Sequence, residues 1–234
     1  MTAEVAVLNK MAVALAADSA VTFGRGPEQK IYNTGNKLFT LSKYYPVGIM
    51  VYGNAELMGV PWETIVKYYR SKLAHNKFDS LIEYAQHFIR FLETENSVLW
   101  TPNEQQNFFR GSVVSFLEYL ARRINEDVES SFKDSGGSIP TQDIVQRISE
   151  IIGRDYRKWH EAEPLFPDAD EVMQRILTDQ AQVIEELKRE VLQQLPISEE
   201  SSEQISQICG MLFCKKRFPD SISGVVIGGM SSFV

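Results

Sequence analysis

The second residue of the chain has the clearest chemical potential in the sequence. Methionine aminopeptidase removes Met1 when the following side chain is small, and Thr2 meets that requirement. A chain that begins at Thr2 carries a hydroxyl nucleophile and a free α-amine that can act as its base. Because an α-amine titrates near pH ~8, it accepts a proton close to neutrality without extensive tuning.

Three further residues stand at the ends of predicted strands. Short apolar runs bounded by turn residues predict strands at 3–8, 12–17, 37–41 and 47–52. Asp18 follows the second run, Lys37 opens the third, and Gly53 follows the fourth. Taken singly, Asp18 fits a turn, Lys37 a surface position, and Gly53 the start of a helix capped by Asn54. Thr2 is, by itself, also a common second residue.

The elements around these residues fall into two groups. Nearly every residue of the four runs is apolar, which predicts a sheet covered on both faces. From near Asn54 the apolar spacing becomes helical and stays so for most of the chain. A capping box at Asn103 and Gln106, and a cap at Asp168 with Glu171, indicate two of the helix starts. Other predicted elements are helices over about 141–160 and 199–213 and a strand over 223–229.

Composition and charge argue against several functional classes. The net charge of −7 disfavours a nucleic-acid surface, which needs clustered Lys and Arg. Cys209 and Cys214 have no histidine nearby, so no metal site is expected, and buried thiols fit a reducing cytoplasm. Glu4 and Lys10 interrupt the first apolar run, unlike in a signal peptide, and no run reaches the ~18 apolar residues of a membrane span. The sequence therefore predicts a cytoplasmic protein.

Order and spacing over roughly the first 75 residues resemble the proteasome β-subunit family of N-terminal nucleophile (Ntn) hydrolases. The likeness extends to the bacterial proteasome relatives whose reading frames begin Met-Thr. The matching pieces follow the chain: Thr2, the strand Val5–Val7, the tight turn Asn9–Met11, the strand ending at Asp18, Lys37-Leu38-Phe39, and Gly53. The segment 224–229 is similar to the strand that follows the first helix pair in this family.

The resemblance implies a role for each residue of the set. Thr2 Oγ would attack a carbonyl carbon, and its own amine would take the proton. The Lys37 ammonium would lower the pKa of both Thr2 groups, and Asp18 would hold that ammonium charged and oriented. The backbone N–H of Gly53 would stabilise the oxyanion, an interaction of about 3 kcal/mol. The implied protein is a threonine-type hydrolase of amide or peptide bonds that needs no metal or organic cofactor and assembles as a ring or other homo-oligomer.

The chain also departs from the family pattern, and the departures define the predicted domains. The fold class implied is α+β: an Ntn-hydrolase-like antiparallel sheet, a partial αββα sandwich, with a large all-helical insertion. We expect the sheet and first helix pair in 1–95, the insertion in 96–218, and a strand returning to the sheet in 219–234. The family's later strands, with further Asp and Ser residues, match nothing before Val234. We expect either a shortened form or insertion helices that cover the sheet.

A second function stays open at this point. The chain could be a catalytically inactive, proteasome-like scaffold whose helices in 96–218 bind a protein partner. Substrate specificity and oligomer size are not determined by the sequence. Retention of Met1 would block the amine and distinguish the two functions.

Overall fold

The chain is an α+β protein with small antiparallel sheets, which confirms the predicted class. The computed structural model describes residues 4–9, 12–19, 21–23, 30–32, 36–94, 96–135, 138, 140–217 and 223–230. The strands are β1 (Glu4–Leu8), β2 (Val13–Ala17), β3 (Val21–Phe23), β4 (Lys30–Tyr32), β5 (Leu38–Thr40), β6 (Val47–Gly53), β7 (Glu56–Leu57), β8 (Val60–Pro61) and β9 (Ser223–Gly229). The helices are α1 (Trp62–Leu73), α2 (Leu81–Thr94), α3 (Asn96–Leu99), α4 (Pro102–Asp134), α5 (Thr141–His160), α6 (Ala169–Asp179), α7 (Ala181–Leu192) and α8 (Glu199–Met211).

Two compact units divide the chain: 1–105 together with 220–234, and 106–219. In the first unit, β9 returns from the far end of the sequence and pairs antiparallel with β6 along all seven of its residues. The sheet order is β5-β6-β9, while β1 pairs with β2 in a separate hairpin.

Glycines allow the β1–β2 hairpin to pack on the three-stranded sheet. Leu15 of β2 lies over Gly48 of β6 and Gly228 of β9, which are paired in register. A Cβ atom at Gly48 would come within 3.0 Å of Leu15 Cδ1, and one at Gly228 within 3.1 Å of Leu15 Cδ2. Both distances are shorter than ordinary van der Waals contact, so small residues are needed where the two layers approach.

Helices α1 and α2 cover the opposite face of the sheet. Alternate residues of β6 point to this side, in keeping with the two-residue period of a strand. Val47, Ile49 and Val51 form a core with residues of both helices: Trp62, Ile65, Val66, Tyr69, Leu73, Tyr84, Phe88 and Phe91. The first unit therefore has three layers, in the order hairpin, sheet and helix pair.

The prediction that all four apolar runs are covered on both faces is wrong for β1. Val5 and Val7 are 55% and 63% exposed, and they lie opposite Ala16 and Ala14 of β2. These four residues share the outer face of the hairpin, because residues two apart on a strand point the same way. Strand β1 has no buried residue, and only Glu4 is partly buried, so the apolar composition of this strand does not indicate coverage of either face.

The prediction of a helix from near Asn54 is also wrong. Residues 56–61 form the β7–β8 hairpin, and α1 begins only at Trp62. Met58 and Gly59 occupy the turn with φ of 52° and 82°, the left-handed conformation of a type I′ turn. The period-3.6 spacing of apolar residues continues through this hairpin, which is why the pattern alone misplaced the start.

In the second unit, the helix boundaries agree in part with the predictions. Helix α5 has the predicted bounds, whereas the long helix expected after Asp168 is divided at Gln180 into α6 and α7. The capping box of α4 is formed by Thr101 and Glu104, whose side chains each accept the other's backbone N–H. The predicted pair Asn103 and Gln106 lies two residues too late.

The second unit has a core of its own. Its fully buried residues come from α4, α5, α7 and α8, with Val113, Leu117, Leu120, Ile124, Ile148, Ile152, Ile205 and Ile208 among them. Two charged groups are buried with partners: Asp155 pairs with Arg123, and Lys188 donates to Glu185, Ser206 Oγ and the Ser202 carbonyl. None of the described helices is long and apolar enough for a bilayer crossing.

Candidate active site

Three of the four predicted site residues are described, and they lie at strand ends of the first unit. Asp18 follows β2, Lys37 precedes β5, and Gly53 is the last residue of β6. The predicted nucleophile, Thr2, lies outside the described residues. The candidate site is therefore described by the groups that lie near the start of β1.

Asp18 and Lys37 form an ion pair between two different layers. The distance from Lys37 Nζ to Asp18 Oδ1 is 2.6 Å, a short charge-assisted hydrogen bond. The Lys37 side chain is 10% exposed and that of Asp18 is 30% exposed. A charged group with so little contact to water is costly to bury without a partner of opposite charge, and Asp18 supplies that partner.

Gly53 is joined to this pair through the backbone. The N–H of Val51 donates to the carbonyl of Lys37 at 2.8 Å, two residues before Gly53 along β6. Gly53 has φ of 79°, a conformation that a residue with a Cβ atom rarely adopts. The end of β6 therefore lies beside Lys37, and its final turn requires glycine.

Glu4 also belongs to this cluster, although no role is predicted for it from the sequence. It lies opposite Ala17 in the hairpin, next to Asp18. Burial raises the pKa of the Glu4 carboxyl above its ordinary value, the charge of Lys37 opposes that rise, and the charge of Asp18 adds to it. Its Oε1 is buried and has no hydrogen-bond partner among the described residues. The available signal was a carboxylate on the inner face of an otherwise apolar strand.

The cluster thus holds one ammonium and two carboxylates at the start of β1. A cation held at this place lowers the pKa of a neighbouring amine or hydroxyl, because it disfavours a second positive charge and favours an alkoxide. Such an arrangement can activate a nucleophile that lies within reach of the Lys37 ammonium.

Other groups in the described part of the chain are less suited to chemistry. No set of three or more His, Cys, Asp or Glu side chains there could hold a metal ion. A polar cavity of about 360 Å³ lies in the second unit, lined by residues that include Ser131, Asp143 and Arg147. It contains none of the predicted residues. Burial raises the pKa of the Cys209 thiol to about 12, so this thiol stays protonated and unreactive near neutral pH.

No family model, curated protein sequence or solved structure matches this chain.

Proposed function

We propose that the protein is a threonine-type N-terminal nucleophile hydrolase that cleaves amide or peptide bonds after removal of Met1. The observation that carries the proposal is the ion pair of Lys37 and Asp18, 2.6 Å apart and largely shielded from water. The sequence resemblance predicts that these two residues act together with Thr2. An ion pair between the hairpin and the sheet, with the Lys37 side chain only 10% exposed, brings together two residues that the proposed mechanism needs side by side.

The layering of the first unit supports the same proposal. The hairpin, the sheet and the helix pair follow one another in the order that three layers of an αββα sandwich would have. The strand ends that carry Asp18, Lys37 and Gly53 converge at one end of these layers. Chemistry built on strand ends is held in place by the backbone hydrogen bonds of the strands, which gives the site its rigidity.

In the proposed reaction, Thr2 Oγ forms a bond to the substrate carbonyl carbon while its proton passes to the α-amine of the same residue. The Gly53 N–H donates to the oxyanion that develops. Breakage of the C–N bond transfers the proton to the leaving amine and leaves an ester on Thr2. Water then hydrolyses the ester and restores the hydroxyl. Lys37 keeps the amine neutral near pH 7 through its charge, and Asp18 positions Lys37.

Two measurements on the full chain test this function. Intact mass determines whether Met1 is absent, and an electrophilic probe of threonine hydrolases determines whether Thr2 is reactive. We expect loss of Met1, labelling of the wild type, and no labelling of Thr2→Ala. Lys37→Ala is expected to label about 100-fold more slowly, because no nearby positive charge would then keep the amine base neutral. The labelling rate of the wild type should rise with pH as the α-amine loses its proton.

Thr178→Ala is the matched control, because Thr178 is an exposed threonine in the second unit that bonds only to the Gln174 carbonyl among the described residues. It should label like the wild type. Retention of Met1, or equal labelling of Thr2→Ala, would contradict the proposal. A free Thr2 that fails to react would favour the inactive scaffold, in which the helical region binds a protein partner.

A further inference from the structure

Strand β1 has an edge that faces away from β2, and no strand lies beside this edge among the described residues. The N–H of Asn9 donates to the Ala12 carbonyl and closes the turn between the two strands. Because hydrogen-bonded and non-hydrogen-bonded pairs alternate along an antiparallel ladder, Val7 and Val5 are the β1 residues that bond to β2. The other backbone N–H and C=O groups of β1 point outward and form what we call the open edge: they belong to Glu4, Ala6 and Leu8.

The open edge makes no backbone hydrogen bond to any residue that the structure describes. A row of outward N–H and C=O groups is a template for another extended strand. Proteins commonly protect such an edge with Lys, Pro or a β-bulge, and β1 has none of these along its five residues. Its one charged residue, Glu4, stands at the end of the strand, beside the pair of Asp18 and Lys37. The backbone of β1 is therefore suited to pairing with a strand.

Apolar side chains flank the open edge on both faces of the hairpin. Val5 and Val7 are more than half exposed on the outer face, and Leu8, whose side chain points to the other face, is 62% exposed. A strand added at the open edge would cover part of each of these side chains. Covering them favours association, because it removes apolar area from water.

The order of residues along β1 makes the strand complementary to a second copy of itself. A valine stands on either side of Ala6, so the segment 5–7 is the same in both directions. When two copies run antiparallel about a two-fold axis at Ala6, Val5 of each lies opposite Val7 of the other, in a non-hydrogen-bonded pair where side chains are closest. Such pairs of β-branched residues stabilise a sheet. No like charges meet in this register, because Glu4 lies opposite Leu8.

We propose that the open edge pairs with the open edge of a second copy of this chain, antiparallel and centred on Ala6. The outward groups of the two strands then form about six backbone hydrogen bonds. The two hairpins become one four-stranded sheet in the order β2-β1-β1-β2. Its outer face is a continuous apolar layer, which contains Val5, Val7, Ala14 and Ala16 of both copies.

The oligomeric state of the full chain, measured by sedimentation at increasing protein concentration, tests this pairing. We expect concentration-dependent association of two chains, or of two of whatever assembly forms, because one pair of strands makes a small interface. Val5→Lys combined with Val7→Lys places lysine opposite lysine on both sides of the axis, and should weaken association at least about tenfold. Val98→Lys is the matched control, because Val98 is 63% exposed in α3, away from β1, and this variant should associate like the wild type.

A charge pair tests the register. Val5→Lys combined with Val7→Glu places lysine opposite glutamate twice in the proposed pairing, so this variant should associate at least about tenfold more tightly than the variant with two lysines. Parallel pairing in register would instead place each new charge opposite its own copy, and association would stay weak. The two double variants differ at one side chain only, which makes their comparison insensitive to the loss of the valines.

Ala6→Pro tests the backbone contribution. The Ala6 N–H points outward, so proline removes a donor of the open edge from each copy and leaves the bonds of Val5 and Val7 to β2 in place. Association should weaken about tenfold or more, because two hydrogen bonds are lost across the axis. Ala6→Val is the control: it keeps the N–H and should associate at least as tightly as the wild type.

Single chains at every concentration would overturn the proposal. So would association that the two lysines leave unchanged, or that the lysine–glutamate variant fails to recover. Circular dichroism of each variant verifies that the fold is intact. None of the substituted residues belongs to the proposed active site, so failure of the pairing test leaves the hydrolase proposal standing, and unchanged probe labelling of Thr2→Ala does not bear on pairing.

Discussion

At the residue scale, the candidate site consists of three charged groups with limited exposure to solvent. The Lys37 ammonium has Asp18 as its close partner, while Glu4 lies near both and has one buried oxygen without a partner among the described residues. The cluster carries more negative than positive charge when both carboxyls ionise. Burial therefore disfavours the ionised form of Glu4 most, because the Lys37 ammonium is already bonded to the Asp18 carboxylate.

The pH dependence of stability should report this arrangement. Because the folded-state pKa of Glu4 lies above its ordinary value of 4.5, its favourable contribution is fully present below that value and is lost as pH rises through the folded pKa. Glu4→Gln mimics the protonated form, so we expect it to raise the free energy of unfolding at pH 7. The gain should disappear in acid, where the wild-type carboxyl is also neutral.

Urea denaturation across a pH series measures this difference. Glu56→Gln is the control, because Glu56 is an exposed strand residue of the same unit. It should change stability by less than about 0.5 kcal/mol at any pH. A pH-independent effect of Glu4→Gln would show that packing, rather than charge, decides the role of this residue.

At the element scale, the site exists because the hairpin can approach the sheet closely. Gly48 and Gly228 leave room for Leu15, and this contact sets the separation between β2, which leads to Asp18, and β5–β6, which carry Lys37 and Gly53. A larger separation would part the ion pair. The paired glycines therefore help to position the charged residues of the candidate site.

Gly48→Ala should be destabilising although alanine is the smallest possible addition. Its Cβ would lie 3.0 Å from Leu15 Cδ1, so we expect a loss of about 1 kcal/mol or more. Hydrogen exchange of the β6 amides measures the change. Leu15→Ala in the same chain should remove most of the added cost, giving a coupled double-mutant cycle.

Gly111→Ala is the opposite control, because Gly111 lies in α4 with nothing near its missing Cβ. That change should stabilise the helix by up to about 1 kcal/mol. Additive effects of Gly48→Ala and Leu15→Ala would mean that the two layers separate freely, contrary to the packing described above.

At the scale of the whole molecule, the chain builds two cores that share no residue. The core of the first unit draws on residues 39–100 and Ile227, whereas that of the second lies entirely within 109–213. A unit with its own buried core meets the usual condition for folding by itself. In chain order, the segment 106–219 is inserted into the first unit after the helix pair and before β9.

We therefore expect the fragment 106–219 to fold alone as a helical protein. It should unfold in one cooperative transition by circular dichroism, because the buried residues of α4, α5, α7 and α8 are all present in it. Leu117→Ala should lower its free energy of unfolding by about 2–5 kcal/mol, since Leu117 is fully buried. A gradual transition, insensitive to Leu117→Ala, would contradict an independent core.

The sequence by itself determined the features that are local in the chain. The α+β class, the bounds of α5 and the strand at 223–229 followed from periodicity and turn residues over short windows. The order of Thr2, Asp18, Lys37 and Gly53 followed from a resemblance, and that site stays a prediction. Local signals suffice for such features because propensity and hydrophobic period act within one or two turns of chain.

Only the tertiary structure decided which distant residues meet. It joined β9 to β6, seated Leu15 on two glycines, and brought Glu4 into the cluster of Asp18 and Lys37. It also showed that β1 and α2 each keep an apolar face that the described fold leaves in water. An apolar residue gives the same sequence signal whether its face is buried or exposed. Its burial depends on which residues from elsewhere in the chain pack against it.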